Sequence, residues 1–310
     1  MRDFYFHTPS TLQEALDLLD EHQDDGRPMA GGTALVVLMK QSLLDADHLI
    51  SLARVPGLSG IRAEADGLHI GALTHHREVE SSPIVKQHAP LLAEVYHHVA
   101  TIRIRNVATV GGGIAHADPA QDPPPGLIAL DARVKLQSKN GERVVPINEF
   151  FTDYYETAIE PGELLTEVIV PEVPAGARTT YIKFLPRTAD DYATVAVAAR
   201  AQLENGTVRN LRVALGAAAP TPVHATAVEQ ALEGQAATQD NIRRAAEAVA
   251  DQVDPLDDFR GSSVYTRVMA VVFTRRALER VLLACRGLVK ARRTLRPSGT
   301  HLSPRPSGER

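Results

Sequence analysis

Residues Met29-Ala30-Gly31-Gly32-Thr33-Ala34-Leu35 form the first stretch whose types and spacing suit chemistry. Side chains thin out here, directly before the apolar run LVVLMK. Glycine lets a backbone approach a ligand closely and reaches φ > 0 without steric cost. Free N–H groups at a helix start attract anions, and Thr33 adds a hydroxyl donor. The combination fits a diphosphate. It is neither the G-x-x-x-x-G-K-[ST] loop nor the G-x-G-x-x-G fingerprint. A glycine pair by itself serves equally well as a tight turn.

A second stretch runs Thr109-Val110-Gly111-Gly112-Gly113-Ile114-Ala115-His116-Ala117-Asp118-Pro119-Ala120-Gln121-Asp122. Three glycines again clear the backbone. Asp118 and Asp122 are acceptors for ribose hydroxyls or ring N–H groups. Carboxylates repel a diphosphate, so these two are expected to face a sugar or a heterocycle. The competing structural reading is a glycine turn with Asp118 as a helix cap.

Several elements must position these stretches. FYFHTP reads as a strand, and STLQEALDLLDEH as a helix capped by Ser10 or Thr11, with Leu12, Leu16 and Leu19 on one face. DDGRPM reads as a turn into the first glycine stretch, TALVVLMKQS as a helix and HLISL as a strand. A new unit begins near VPGLSGI, with GLHIGAL a strand and PLLAEVYHHVA a helix. ARVKLQSKNGERVVPI predicts a hairpin turning at Asn140-Gly141. ELLTEVIVPEVP closes that unit, and PEVPAGA, at 171–177, is the linker candidate. TTYIKFL, TVAVAARAQL and TVRNLRVALGAA follow as three strands, then helices at about 223–233, 239–251 and 261–285. The expected organisation is 1–55, 56–175 and 178–285, with a basic tail, 286–310, expected to be disordered.

Composition removes some functions. The net charge of -5, the absence of tryptophan and an aromatic content of 5% disfavour nucleic-acid binding. One cysteine, Cys285, supplies neither an internal disulfide nor an all-cysteine cluster. No apolar window is long enough for a membrane span, and the start lacks an export core, so the expected location is the cytoplasm. Of the 12 histidines, the adjacent pairs His75-His76 and His97-His98 point different ways on any regular element. No metal site is expected.

AGGTAL together with IRNVATVGGGIAHADPAQD resembles the FAD-binding medium subunit of the molybdenum hydroxylases, the family of xanthine dehydrogenase and aerobic carbon monoxide dehydrogenase. The likeness runs from about residue 2 to about 285 and keeps the motif order, including Glu163-Leu164-Leu165 before Pro171 and Tyr181-Ile182-Lys183-Phe184. It implies an α+β protein: a two-subdomain FAD-binding fold of the PCMH type, then a smaller α+β domain of three strands and helices. By the same resemblance, Ala30, Gly31, Gly32, Thr33, Ala34 and Leu35 would wrap the diphosphate. Thr101, Thr109, Gly111, Gly112 and Gly113 would form a second cradle. Asp118 and Asp122 would bind on the sugar or ring side, and Leu165 would pack on the ring or adenine. Lys183 would approach the polar edge of the flavin, and Tyr192 would lie near the isoalloxazine. The flavin would be non-covalent, with no residue acting as a catalytic acid or base.

The resemblance further implies a large molybdopterin subunit and a small [2Fe–2S] subunit as partners, in a dimer of heterotrimers. Electrons would arrive from the clusters and leave to NAD, a quinone or another acceptor. Departures exist: Thr33-Ala34 stands where members commonly carry His-Ser or Asn-Thr, and Gly113 where many carry Ser or Asn. A self-contained flavin oxidase of the vanillyl-alcohol-oxidase type and a flavin-free assembly subunit are the alternative functions.

Overall fold

The computed structural model describes residues 3–185, 188 and 191–283. The expected basic tail, 286–310, and Cys285 lie outside the described residues.

The first unit comprises strand β1 (Tyr5–His7), helix α1 (Leu12–His22), β2 (Gly26–Met29), α2 (Leu35–Lys40) and β3 (His48–Ser51). Thr11 caps α1 by accepting from the Glu14 amide, while Glu14 takes the Ser10 amide in return. That reciprocal arrangement satisfies two donors that a helix start leaves orphaned. Ala15, Leu16 and Leu19 then face inward, as their spacing predicts. β1 and β2 pair in parallel on either side of β3. β2 corrects the expected turn at DDGRPM. Pro28 cannot donate to a ladder, but β2 is an edge strand, where one side needs no partner.

The second unit is a five-stranded antiparallel sheet in the order β4-β5-β10-β6-β7. Its strands are β4 (Ile61–Glu64), β5 (Gly67–Gly71), β6 (Arg133–Ser138), β7 (Gly141–Pro146) and β10 (Leu164–Val170). β4 was not foreseen, because its IRAE is only four residues long and mostly exposed, too short for its apolar alternation to stand out. β10 enters last yet lies at the centre, and every one of its residues is buried. A small hairpin of β8 (Phe151–Asp153) and β9 (Glu156–Thr157) precedes it. Between β5 and β6 the chain makes six short helices: α3 (His76–Ser81), α4 (Pro83–His88), α5 (Pro90–His97), α6 (Ile102–Arg105), α7 (Val110–His116) and α8 (Pro123–Ala129). The second glycine stretch is therefore delivered by helices packed on one sheet.

The third unit is a sheet of β11 (Arg178–Phe184), β12 (Val195–Glu204), β13 (Thr207–Gly216) and β14 (Val223–His224). Asn205 and Gly206 turn the β12–β13 hairpin with φ of 51° and 83°, the left-handed pair such turns demand. β14 adds a fourth strand to the three expected. Its two residues lie where a helix was expected to begin, and the helix α9 (Thr226–Leu232) starts later. The main-chain pairing of β14 with β13, Val223 opposite Leu215 and His224 opposite Ala214, holds it extended. Helices α9, α10 (Gln239–Glu247) and α11 (Ser263–Leu283) complete the unit. No helix among the described residues is long and apolar enough to cross a membrane.

Strand periodicity decides how this third sheet docks. Val195, Val197 and Ala199 face its own helices, in one core with Val213, Phe273 and Leu278. Ala196 and Ala198 point the other way, into the core of the second unit with Leu127, Val95 and Tyr181. Small side chains on that face let β12 lie close to α8. Ala198 has no exposed surface, so Ala198→Leu is expected to overpack the junction and cost about 1–3 kcal/mol. Chemical denaturation of the variant against the parent chain measures this; an unchanged midpoint would mean the junction has slack.

Candidate functional site

The two glycine stretches touch through their backbones. A Cβ on Gly31 would stand 2.1 Å from the Val107 carbonyl oxygen. A Cβ on Gly112 would stand 3.3 Å from the Ala30 Cβ and 2.8 Å from the Thr109 hydroxyl oxygen. Gly32 has φ of +71°, a conformation that glycine adopts without penalty. Ala30, Gly31, Gly32, Thr33, Ala34 and Leu35 are all half-buried.

The stretches differ in what their amides do. The amides of Gly31, Gly32, Thr33, Ala34 and Leu35 make no hydrogen bond among the described residues. Five adjacent donors are thus left for an outside acceptor. α2 has only six residues, so these local N–H groups, rather than a helix dipole, provide the attraction for an anion. At the second stretch the amides are already engaged. Val110 and Gly111 donate to the Thr74 and Ala72 carbonyls at 2.9 and 2.8 Å. Gly112 donates to the Thr109 hydroxyl at 3.2 Å, and Gly113 to the Thr109 carbonyl at 3.0 Å. The glycines there occupy the first turn of α7 rather than an open turn. Gly111 is required for packing, because its Cβ would lie 2.5 Å from that of Ala72.

Thr109 is itself held by His76, whose Nε2 donates to the Thr109 carbonyl at 3.0 Å. That bond fixes the proton on Nε2. Burial drives the imidazole pKa down to about 4, so the ring is neutral. Gln121 presents a buried Nε2 donor with no hydrogen-bond partner among the described residues. Its Oε1 lies 3.7 Å from where a Gly113 Cβ would be. An orphaned buried donor beside a helix kept bare of side chains suits a polar ligand.

An ion-pair network fixes the approach to α7. Arg105 Nε donates to Glu80 at 3.0 Å, and its NH1 donates to the Val99 and Ala100 carbonyls, both at 2.8 Å. Glu80 also meets His97 and Arg77 at 2.8 and 2.9 Å. Burial alone would raise the Glu80 carboxyl; these hydrogen bonds and charges outweigh it and hold the pKa low. Thr101 lies on this segment as the cap of α6, exposed, with its hydroxyl accepting from the Ile104 amide.

On the α8 side, Asp122 is 5 % exposed. Its Oδ1 accepts from the Tyr181 hydroxyl at 2.6 Å, and its Oδ2 from Lys183 Nζ at 2.9 Å. Burial raises the Asp122 pKa against the opposing pull of Lys183 and Tyr181. Lys183 also donates to the His98 carbonyl at 3.0 Å. An ammonium has three protons, and one donor of Lys183 has no partner among the described residues. Asp122 anchors Lys183, and each of its oxygens already accepts one hydrogen bond.

Asp118 is not a helix cap. Its Oδ1 accepts from the Ala120 amide at 2.9 Å, closing a local turn. It also interacts with the hydroxyls of Tyr155 and Tyr192, whose pKa values burial raises first and Asp118 raises further. Tyr192 remains half-exposed. Leu165 lies in the apolar core of the second unit, a role that accounts for its type without a ligand.

Folding therefore brings Ala30–Leu35 against Val107–Gly112, Asp122 against Lys183, and Asp118 against Tyr192. His76, Gln121, Tyr181 and the Glu80–Arg105 pair were missed from the sequence. Tyr181 carried a usable signal: it sits two residues from Lys183 on a strand, hence on the same face. Gln121 lies inside the second glycine-rich motif, in the loop between α7 and α8, and Arg105 just ahead of it on α6, while His76 and Glu80 reach the site from α3, which has no sequence motif of its own.

Comparison with known proteins agrees with this picture. Residues 2–173 match the family model described as FAD binding domain in molybdopterin dehydrogenase. Residues 180–281 match the one described as CO dehydrogenase flavoprotein C-terminal domain. The carbon monoxide dehydrogenase medium chain of Hydrogenophaga pseudoflava is 36% identical over 91% of this chain and 98% of its own. The glyceraldehyde dehydrogenase medium chain of Sulfolobus acidocaldarius is 35% identical over 90% and 98%. A solved Hydrogenophaga pseudoflava carbon monoxide dehydrogenase, lacking the Mo-pyranopterin moiety of its cofactor, superposes with TM-score 0.89 at 39% identity, covering 91% of this chain and 98% of that one.

Two stability effects follow from the site. His76 has an ordinary pKa of 6.5 and about 4 when folded. The unfolded chain therefore binds more protons between those values, and stability falls as pH drops through that window. About 2 kcal/mol should be lost between pH 7 and pH 5. Denaturant midpoints at the two pH values measure it, and the difference between parent and His76→Gln isolates this residue. Separately, Glu80→Ala leaves Arg105 buried without its partner and should cost about 3–5 kcal/mol. A loss under 1 kcal/mol in the same assay would show that Arg105 finds solvent instead.

Proposed function

The chain belongs to the FAD-binding medium subunits of the molybdenum hydroxylases, and we propose that it is the electron-transfer flavoprotein component of such a multi-subunit oxidoreductase. When bound, FAD would supply the redox chemistry, between [2Fe–2S] clusters of a small subunit and NAD, a quinone or another acceptor. A large molybdopterin subunit would oxidise the substrate, and the assembly would be a cytoplasmic dimer of heterotrimers. The observation that carries this reading is the row of five unengaged amides at 31–35, pressed against a helix kept bare by glycine.

The chain's own residues divide the work. The amides of Gly31 to Leu35 and the Thr33 hydroxyl hold the diphosphate. Ala30, Gly111, Gly112 and Gly113, with Thr109 as cap, keep the facing wall thin enough for close approach. Thr101, on the segment tied down by Arg105, borders the same wall. Gln121 offers its orphaned donor to the ligand. Asp122 aims Lys183, which would offer its remaining donor to a polar edge of the flavin. Tyr192, held by Asp118, would lie near the ring, and Leu165 would back the pocket from the core. None of these groups needs to remove a proton from a substrate, so the protein's contribution is position, electrostatics and exclusion of water.

The replacement of a side-chain donor by Ala34 fits this division, because backbone amides already supply the contacts. Gly31→Ala tests it. The new methyl would collide with the Val107 carbonyl and spread the two stretches. Acid-released FAD from the copurified complex should fall at least about tenfold, which from a well-occupied site requires an affinity loss of more than about 1.4 kcal/mol. Val107→Ala keeps the same carbonyl and should retain FAD. A folded Gly31→Ala chain with full FAD content would overturn the assignment.

A further inference from the structure

Three histidines far apart in the sequence converge in the first unit. His7 ends β1, His22 ends α1 and His48 begins β3. One ring nitrogen from each lies within 4.8 Å of the other two. His7 Nε2 and His48 Nδ1 are 2.9 Å apart. The rings of His22 and His48 stack at 3.6 Å, and His7 lies 5.1 and 5.2 Å from them. All three are half-buried, so their nitrogens are neither sealed in the core nor fully solvated.

The backbone explains the convergence. β1 and β3 run parallel with Tyr5 opposite His48. Tyr5 and His7 share a face of β1 and flank the His48 ring, on which Tyr5 also stacks at 5.2 Å. On the other side of β3, Gly26 pairs with His48. A Cβ there would stand 3.0 Å from the His22 Cβ, so the absence of a Gly26 side chain lets the end of α1 settle over His48. Glu21 adds a negative charge that acts on His7.

We propose that His7, His22 and His48 form a binding site for a borderline divalent transition metal such as Zn²⁺, distinct from the flavin site. Zn–N bonds of about 2.0–2.1 Å in tetrahedral geometry place the ligand nitrogens about 3.4 Å apart. The His7–His48 pair is already near that spacing. His22 reaches it by turning its ring out of the stack, since parallel rings do not aim their lone pairs at one point. Neutral imidazoles suit zinc, copper and nickel better than magnesium or calcium. Three protein ligands leave a fourth position for water, with Glu21 balancing the charge. The ion would clip the edge strand β1 to α1 and β3, and so brace the unit that carries the first glycine stretch. No local pattern marks it, because no two ligands fall within one motif or one element.

The test is Zn²⁺ uptake by the full chain after stripping with a chelator, read by competition with a chromophoric chelator. One Zn²⁺ per chain is expected. His7→Gln, on the edge strand, and His48→Asn should each abolish that uptake, while Cys285→Ser and His97→Asn retain it. FAD content of each variant reports that it is folded and that the flavin site is intact. Failure of the parent chain to take up Zn²⁺ would overturn the proposal. So would uptake that persists unchanged in folded His7→Gln and His48→Asn.

Discussion

The structure depends on one contact between backbones, the approach of Gly31 to Val107 and Ala108. Added at Gly31, a Cβ would sit 2.1 Å from a carbonyl oxygen and 3.2 Å from the Ala108 Cα. No side chain fits in that space, so residue 31 is glycine or the two units part. Once they meet, amides from the first unit and the capped helix of the second share one wall-to-wall spacing. Ala30 and Gly112 continue the same thin seam. The polar groups of the site take their geometry from this seam rather than from loops that adjust independently.

Charge is handled just as strictly. Asp122 and Lys183 are buried together, as are Glu80 and Arg105. An ion taken out of water costs several kcal/mol unless paired and hydrogen-bonded. Each pair meets that demand with additional partners: Tyr181 and the His98 carbonyl for the first, His97, Arg77 and two backbone carbonyls for the second. The pairs link elements distant in the chain, α8 to β11 and α3 to α6. The first resists sliding between the second and third units and the second fixes helices within the second unit, in a way that apolar packing, which has no preferred direction, does not.

The glycine-rich blocks look alike on paper and act differently in space. The first leaves its amides open, and the second spends them on Thr74, Ala72 and Thr109. The difference lies in neighbours. Residues 31–35 follow an edge strand and enter a six-residue helix with no side-chain cap. Residues 110–113 enter a helix under a threonine cap, with the end of β5 alongside to accept their N–H groups. Composition alone does not distinguish a glycine that frees donors from one that permits packing.

Local chemistry wrote much of the fold into the chain. The reciprocal Ser10–Glu14 cap, the Asn205-Gly206 turn and the alternation of VAVAARA each depend on neighbours a few residues away, whereas the β6–β7 hairpin turns at Lys139-Asn140, one residue before the expected Asn140-Gly141, because Gly141 already pairs with Ser138. So did the order of the glycine stretches and the α+β architecture that their resemblance implies. β2 and β4 escaped notice because a strand with proline, or one of four mostly exposed residues, exists only through its partner. His76, Gln121, Glu80 with Arg105, and the His7–His22–His48 cluster were equally invisible, since each acquires its role from residues many positions removed. By itself the sequence determined the elements and the blocks where side chains are withheld, because sterics and hydrogen bonding over one turn of chain fix them. Only the tertiary structure decided which amides stay open and which charges are paired, because burial and distance are properties of segments brought together.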